Sequence, residues 1–350
     1  MIKLLTYHDI DQQQWRELIQ SSPVATWFQT PEAYEFYAAL SSELIPFAFG
    51  IEECRGDEAM RQLGDKDGSR LVGVIVGYIT RERNAIKQFF TRRAIIIGGP
   101  LLAEDISNEA LSMLLTSLRN LPSLQGGAGV GLPIYIETRN FHDYSKWKSV
   151  FEANGFAYQP HYDIHVHCNA QHQMSERRQR ELKRAIKNGA MVCEAQTEQE
   201  VRDWYQILHR LYREKVRTPL FSEEFFLQFY RNGVGKYLLV KKDDKVIGGM
   251  MCPILPGKAI YEWYVCGLDE EYRELSPSVV ATAAAINYAK VHGLSLFDFM
   301  GAGQPDVPYG VRDFKLEFGG EIVEYGRFLC IRKPLLYKIG QIGVKLLKRK

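Results

Sequence analysis

Along the chain, apolar and polar positions follow two rhythms, a period near two that marks strands and one near 3.6 that marks helices. Ile2 to Tyr7 reads as a strand, and Trp15, Leu18 and Ile19 then line one side of a helix that ends near Ser22-Pro23. Thr30-Pro31 pairs an N-cap residue with proline at the first helical position and opens a helix through Tyr34, Tyr37 and Leu40. Phe47 to Glu53 and Leu71 to Thr80 read as strands joined by a charged loop, Arg55 to Arg70. Ala94 to Ile97 is a strand stopped by Gly98-Gly99-Pro100. A helix from Ser107 to Asn120, a Gly-rich link at Gln125 to Gly129, a strand from Pro133 to Glu137, a helix from Ser145 to Ala153 and a strand from Tyr158 to His167 follow.

The same order then returns. Tyr237 to Val240 and Val246 to Ile254 form a hairpin around Asp243-Asp244, followed by a strand from Ile260 to Cys266 and a helix from Ser278 to His292. Leu296 to Met300 is a strand, Val311 to Phe318 a short helix and Glu321 to Ile331 a strand. Even Phe151-Glu152-Ala153-Asn154-Gly155-Phe156 is echoed by Leu316-Glu317-Phe318-Gly319-Gly320, which marks an internal duplication. Between the halves lie a basic helix from Arg177 to Lys187, a strand from Met191 to Ala195, and two helices, Glu198 to Arg213 and Ser222 to Arg231, which begin the second domain. The expected organisation is an N-terminal domain over 1–172, a C-terminal domain over 173–333 and a basic amphipathic helix over 334–350. The fold class is α/β (α+β), with a mixed, mostly antiparallel sheet flanked by helices in each domain.

Composition narrows the function. With 350 residues, 46% hydrophobic and 25% charged, the chain can build two ordinary cores. A formal net charge of +2 provides no global field to recruit nucleic acid, so DNA is excluded and any RNA or membrane contact must use a local patch. Six cysteines are scattered singly without a CxxC pair, which fits reduced thiols. No signal peptide and no window of about 20 apolar residues is present, so the expected location is cytoplasmic, with peripheral contact at the inner face of the membrane.

Candidate chemistry concentrates in Leu296 to Gly320. A strand ends in Gly301, Gly303, Pro305 and Pro308, and beside this turn a helix opened by Tyr309 carries Arg312 and Lys315, cations for a polar substrate. Lys315 is suited to steady a developing oxyanion or a phosphate, the alternative being a surface lysine. Asp298 alternates with Phe297 and Phe299, so it orients substrate or caps the neighbouring turn. Glu137 ends a strand where it can accept a proton from an attacking amine or pair with Arg139. His161, His165 and His167 invite a metal reading, but no second cluster of Cys, Asp or Glu at ligand spacing accompanies them, and no metal is expected. Arg177, Arg180, Arg184 and Lys187 recur at helical spacing, as a solvated face or a dock for an RNA acceptor arm or lipid pyrophosphate. Leu335, Ile339, Ile342 and Leu346 form one apolar stripe beside Lys338, Lys345, Lys348 and Arg349, a helix that docks on the core or lies on an anionic membrane.

Strand Phe297-Asp298-Phe299-Met300-Gly301, a loop, and a short helix bearing Phe314-Lys315 before Phe318-Gly319 resembles the C-terminal signature of the FemABX peptidyltransferases, with support from Tyr272-Arg273-Glu274-Leu275-Ser276-Pro277. The resemblance implies two tandem GNAT-like domains with the site in the groove between them, dominated by the second. It implies that Phe314 and Lys315 lie at the reacting ester, that Arg213 or Arg217 contacts phosphate, and that Tyr37 stands near the place of a phosphate-binding lysine. The implied activity joins an activated amino acid or acyl group to an amine of a peptidoglycan precursor or another cell-envelope acceptor. No tightly bound cofactor is expected; aminoacyl-tRNA or acyl-CoA serves as co-substrate. Ser276-Pro277 offers neither glycine nor a full set of amide donors to a pyrophosphate, which disfavours coenzyme A. The alternatives are an acyl-CoA-dependent N-acyltransferase and a catalytically degenerate binding module.

Overall fold

Leu71 to Ile79 is buried without interruption, which suits a strand covered on both faces. It lies in β3 (Ser69–Thr80), which pairs antiparallel with β2 (Leu44–Cys54), itself paired with β1 (Ile2–Thr6). The computed structural model describes residues 1–54, 69–81, 92–121, 133–169 and 174–348. The Arg55–Arg70 loop and the Gly-rich link at 125–129 lie wholly or almost wholly outside them. β4 (Arg93–Gly98) and β5 (Leu101–Leu102) both pair with β3, while β4 alone pairs, in parallel, with β6 (Tyr135–Asn140). Gly98 and Gly99, at φ 81 and 77, make the break between β4 and β5, and Gln29 Nε2 donates to both their carbonyls at 3.1 and 2.9 Å.

The chain clusters into two units, Met1–Pro160 with Tyr325–Lys350, and His161–Glu324. β7 (Ala157–Gln159) remains in the first unit, but β8 (Tyr162–His167) joins the second. There the strands are β9 (Met191–Glu194), β10 (Gly235–Lys242), β11 (Lys245–Leu255), β12 (Ala259–Tyr261), β13 (Tyr264–Gly267), β14 (Leu296–Asp298) and β15 (Glu321–Glu324). β16 (Arg327–Ile331) returns to the first unit. The two sheets run β1-β2-β3-β4-β6-β16-β7 and β9-β10-β11-β12-β14-β8-β15, position for position, with β5 and β13 as the paired side branches. The duplication therefore holds in topology, with a reciprocal exchange: each half gives its last strand to the other sheet.

This places the unit boundaries at 160/161 and 324/325 rather than near 172/173, and puts the 334–350 helix with the first unit. The physical reason lies at two turns that the sequence reads as strand interior. Pro160 has no amide to continue a ladder after β7, and Gly326, at φ 63, bends the chain between β15 and β16. The exchanged strands are core elements where they land. Phe328 of β16 stacks on Phe151 at 4.1 Å between centroids, and Ile164 and Val166 of β8 sit in a cluster with Phe297, Phe299 and Phe318.

Candidate active site

β14 ends at Asp298, and the chain then takes a left-handed step at Met300 (φ 55) and an extended positive-φ step at Gly301 (φ 126). A methionine there costs about 1–2 kcal/mol, so neighbouring bonds must hold it. They do: Met300 N–H donates to Asp298 Oδ1 and Gly301 N–H to Asp163 Oδ1, both at 2.6 Å. Asp163 and His165 alternate on β8 and so share a face, and His165 stands opposite Asp298 across the antiparallel pair. His165 Nε2 meets Asp298 Oδ2 at 3.3 Å, with all three side chains buried.

Lys315, 8% exposed, reaches the same turn from the helix Gly310–Leu316. Its Nζ donates to the carbonyls of Phe299 at 2.7 Å and Gly301 at 2.9 Å, and pairs with Glu262 Oε1 at 3.1 Å. An ammonium has three donors, so all are spent. Glu262 sits in the break between β12 and β13, where its own N–H donates to Asp298 O at 2.9 Å. Burial pushes the Glu262 carboxyl up, against the pull of Lys315. Burial, then Asp298, pushes Asp163 well up, against His165 and Lys315. Burial disfavours charge on His165, but Asp298 beside it outweighs that and raises its pKa. The result is one buried ionic cluster bound to the turn after β14.

The sequence-predicted residues divide between this cluster and other places. Lys315 and Asp298 meet there. The Phe314 ring lies 4.4 Å from the Arg178 guanidinium, and Lys315 lies 5.2 Å from the Phe299 ring. Arg312 braces the same loop, donating from Nε to Ala302 O at 2.8 Å and from its terminal nitrogen to Gln304 O, with its guanidinium 5.0 Å over Tyr162. Tyr309 is exposed and packs against Gly303. In the π-helical segment Tyr212–Val216, burial raises Tyr212 to about 12, with Tyr309 adding to it. Arg213 in that segment is exposed and paired with Glu214 at 2.7 Å, and Arg217 ends it at φ 55.

Two expectations need correction. Glu137, in the first unit, takes the paired role: Arg139 Nε at 2.8 Å and an Arg327 nitrogen at 2.9 Å bind the same carboxylate oxygen. Burial would raise its pKa, but Arg139 and Arg327 outweigh it and lower it, so it is a poor base. Tyr37 is a core residue of the first unit, edge-on to Tyr78 at 4.9 Å between centroids, because its helix turns that side toward the sheet. The basic helix Glu176–Lys187 is likewise largely ion-paired: Arg177 and Arg178 with Glu181 and Glu317, Arg180 with Glu176, Arg184 with Glu274.

Asp163 and Glu262 escaped sequence reasoning. Asp163 precedes His165 by two on a strand, a signal that was present; Glu262 interrupts an apolar run whose break only the fold explains.

Residues 171–315 match the family described as an acetyltransferase (GNAT) domain. No curated protein matches the sequence. Among solved structures, FemX is similar over 96% of this chain and 99% of its own, at 14% identity and a TM-score of 0.68. The C-terminal domain of a putative lysylphosphatidylglycerol synthetase from Agrobacterium fabrum is similar over 95% of both chains, at 10% identity and a TM-score of 0.56. A tandem GNAT protein from the clavulanic acid biosynthesis pathway covers 94% of this chain and 98% of its own, at 10% identity and a TM-score of 0.54. At such identities the likeness is one of fold, and it meets the resemblance read from Phe314-Lys315 and its surroundings. The chain is a tandem GNAT-fold protein with the architecture of FemX, and its second unit holds the whole span that matches the acetyltransferase domain family.

Proposed function

We propose that this protein is an N-aminoacyl- or N-acyltransferase that joins an activated acyl group to an amine of a cell-envelope acceptor, a peptidoglycan precursor or an aminoacylated lipid. The observation that carries the reading is Phe314-Lys315 on the helix facing the turn after β14, within a FemX-like tandem fold. In the reaction the acceptor amine attacks the donor carbonyl. A C–N bond forms, the ester or thioester bond breaks, and the amine proton leaves with the departing group or to solvent. Lys315 contributes the positive field at this turn and holds the Phe299 and Gly301 carbonyls, which shapes the surface the substrate meets. Arg213 and Arg217, on a π-helical segment, are the residues for a donor phosphate.

An aminoacyl-tRNA ester is favoured over acyl-CoA as donor. The N-terminus of the helix Pro277–Val291 is occupied by the chain's own carboxylate: Asp269 Oδ1 accepts from Ser278 N–H at 3.1 Å and Oδ2 from Ser278 Oγ at 2.5 Å. A pyrophosphate at that end would have to displace it. The lipid side of the reading draws support from the helix Pro334–Lys348, whose Leu335, Ile339 and Ile342 are exposed.

The test is to incubate the protein with charged tRNAs or acyl-CoAs, together with muropeptide precursors or amino-lipids, and to follow products by mass. Transfer from aminoacyl-tRNA to an envelope amine is the expected outcome. Transfer only from acyl-CoA would replace the donor, and no transfer from any donor would leave the binding-module reading in its place.

A further inference from the structure

The buried group of Asp163, His165 and Asp298 is built like a set of ligands. Each offers one ligand atom, and these atoms lie within 4.8 Å of one another, all on buried residues. Two come from alternate positions of β8 and the third from the facing position of β14, so the backbone of two paired strands fixes their spacing.

The division of labour within each carboxylate is the informative part. Asp163 Oδ1 accepts from the amides of Ile164 at 2.7 Å and Gly301 at 2.6 Å, and Asp298 Oδ1 accepts from Met300 N–H at 2.6 Å. The outer oxygens are thus anchored by backbone, as the outer bonds of metal-binding carboxylates are. Of the second oxygens, Asp298 Oδ2 lies 3.3 Å from His165 Nε2, and Asp163 Oδ2 is buried with no hydrogen-bond partner among the described residues, in a residue only 4% exposed. Leaving such an oxygen unmade costs about 1–3 kcal/mol, which a bound cation would recover.

We propose that Asp163, His165 and Asp298 bind one divalent transition-metal ion, Zn²⁺ or Mn²⁺, which ties β8 to β14 and locks the Phe299–Gly303 turn that Lys315 holds. Two carboxylates and one imidazole form a mixed N/O set suited to those ions rather than to a soft, thiolate-bound metal. At bonds of about 2.1 Å, tetrahedral ligand atoms stand about 3.4 Å apart, the separation His165 and Asp298 already have. The role is positional: the ion fixes the turn, and beside it stand Lys315 and its partner Glu262.

The test is direct. Full-length protein stripped with chelator is titrated with ZnCl₂ and MnCl₂ by calorimetry, and the loaded protein is studied by X-ray absorption at the metal edge. One ion per chain is expected, with imidazole nitrogen and carboxylate oxygens around it and a melting temperature several degrees higher. Asp163→Asn and His165→Gln are expected to weaken binding by at least about tenfold, while His167→Gln, at the surface pair with Glu321, leaves it unchanged. If either core variant fails to fold, the absorption spectrum of the parent decides. No uptake of either ion by the parent, a sulfur or all-water shell, or binding equal to the parent's in a folded Asp163→Asn protein overturns the proposal.

Discussion

Lys315 shows how burial changes what a single residue can be asked to do. As a surface cation it could be removed with folding intact; buried against Glu262 it cannot, because Lys315→Ala leaves a carboxylate without its partner and costs about 3–5 kcal/mol. The single variant therefore confuses stability with chemistry. We predict that Lys315→Met combined with Glu262→Gln recovers much of the lost melting temperature yet still transfers acyl groups about 10²-fold more slowly than the parent. A parental rate in the double variant would remove Lys315 from the reaction. Glu137 gives a second test. Its folded pKa is depressed by Arg139 and Arg327, so its contribution is present above the ordinary glutamate value, about 4.3, and is lost as pH falls through the lower folded value. Glu137→Gln should destabilise the protein in urea at pH 7 by much more than at pH 3. Equal destabilisation at both would rule out the ionised pair as its source.

At the scale of elements, two segments with clear sequence periodicity behave differently. The helix Pro277–Val291 is apolar on most sides and is buried, packed in the core of the second unit. The helix Pro334–Lys348 is amphipathic, and its contact with the first unit runs through Tyr337, edge-on to Tyr135 at 5.3 Å, so Leu335, Ile339 and Ile342 are left exposed with Lys338 beside them. Residues 334–350 hold cations and no acid. Each cation near an anionic surface adds about 1 kcal/mol, and the stripe adds burial in the headgroup region. We predict that the full-length protein sediments with anionic liposomes at low salt and that a chain ending at Lys333 does not; equal behaviour of the two would sink the membrane reading.

For the whole molecule, the exchange of β8 and β16 makes the two halves of the sequence unequal to the two units of the structure. Residues 1–160 lack β16, so β6 and β7 lose the strand that lies between them and Phe151 loses its stacking partner Phe328. Residues 161–324 keep every strand of their sheet. We predict that a 161–324 fragment unfolds cooperatively in denaturant, whereas a 1–172 fragment shows no cooperative transition until a peptide spanning Tyr325–Ile331 is supplied. Cooperative unfolding of 1–172 by itself would mean that β16 is dispensable to the first sheet.

Hydrophobic period, glycine punctuation and repetition were enough to determine the kind and order of the main elements and the duplication, though they merged β7 with β8, β12 with β13 and β15 with β16, and the GNAT-like class came from the resemblance carried by Phe314-Lys315 and its surroundings. The echo of Asn154-Gly155 in Phe318-Gly319 even marked helix ends that both take left-handed glycines, φ 79 and 86. Local pattern carries that information because strand and helix propensity act over a few residues. It also set Asp298 on the side of its strand away from Phe297 and Phe299, since strand alternation is local. What it did not contain is which sheet a strand joins: β8 and β16 look the same whether they stay or cross, and the choice depends on packing partners far away in sequence. The ionic cluster belongs to the same class of fact. Asp163, Glu262 and Lys315 lie far apart in the chain, and only the pairing of β8 with β14 and the break between β12 and β13 bring their charges into one buried place.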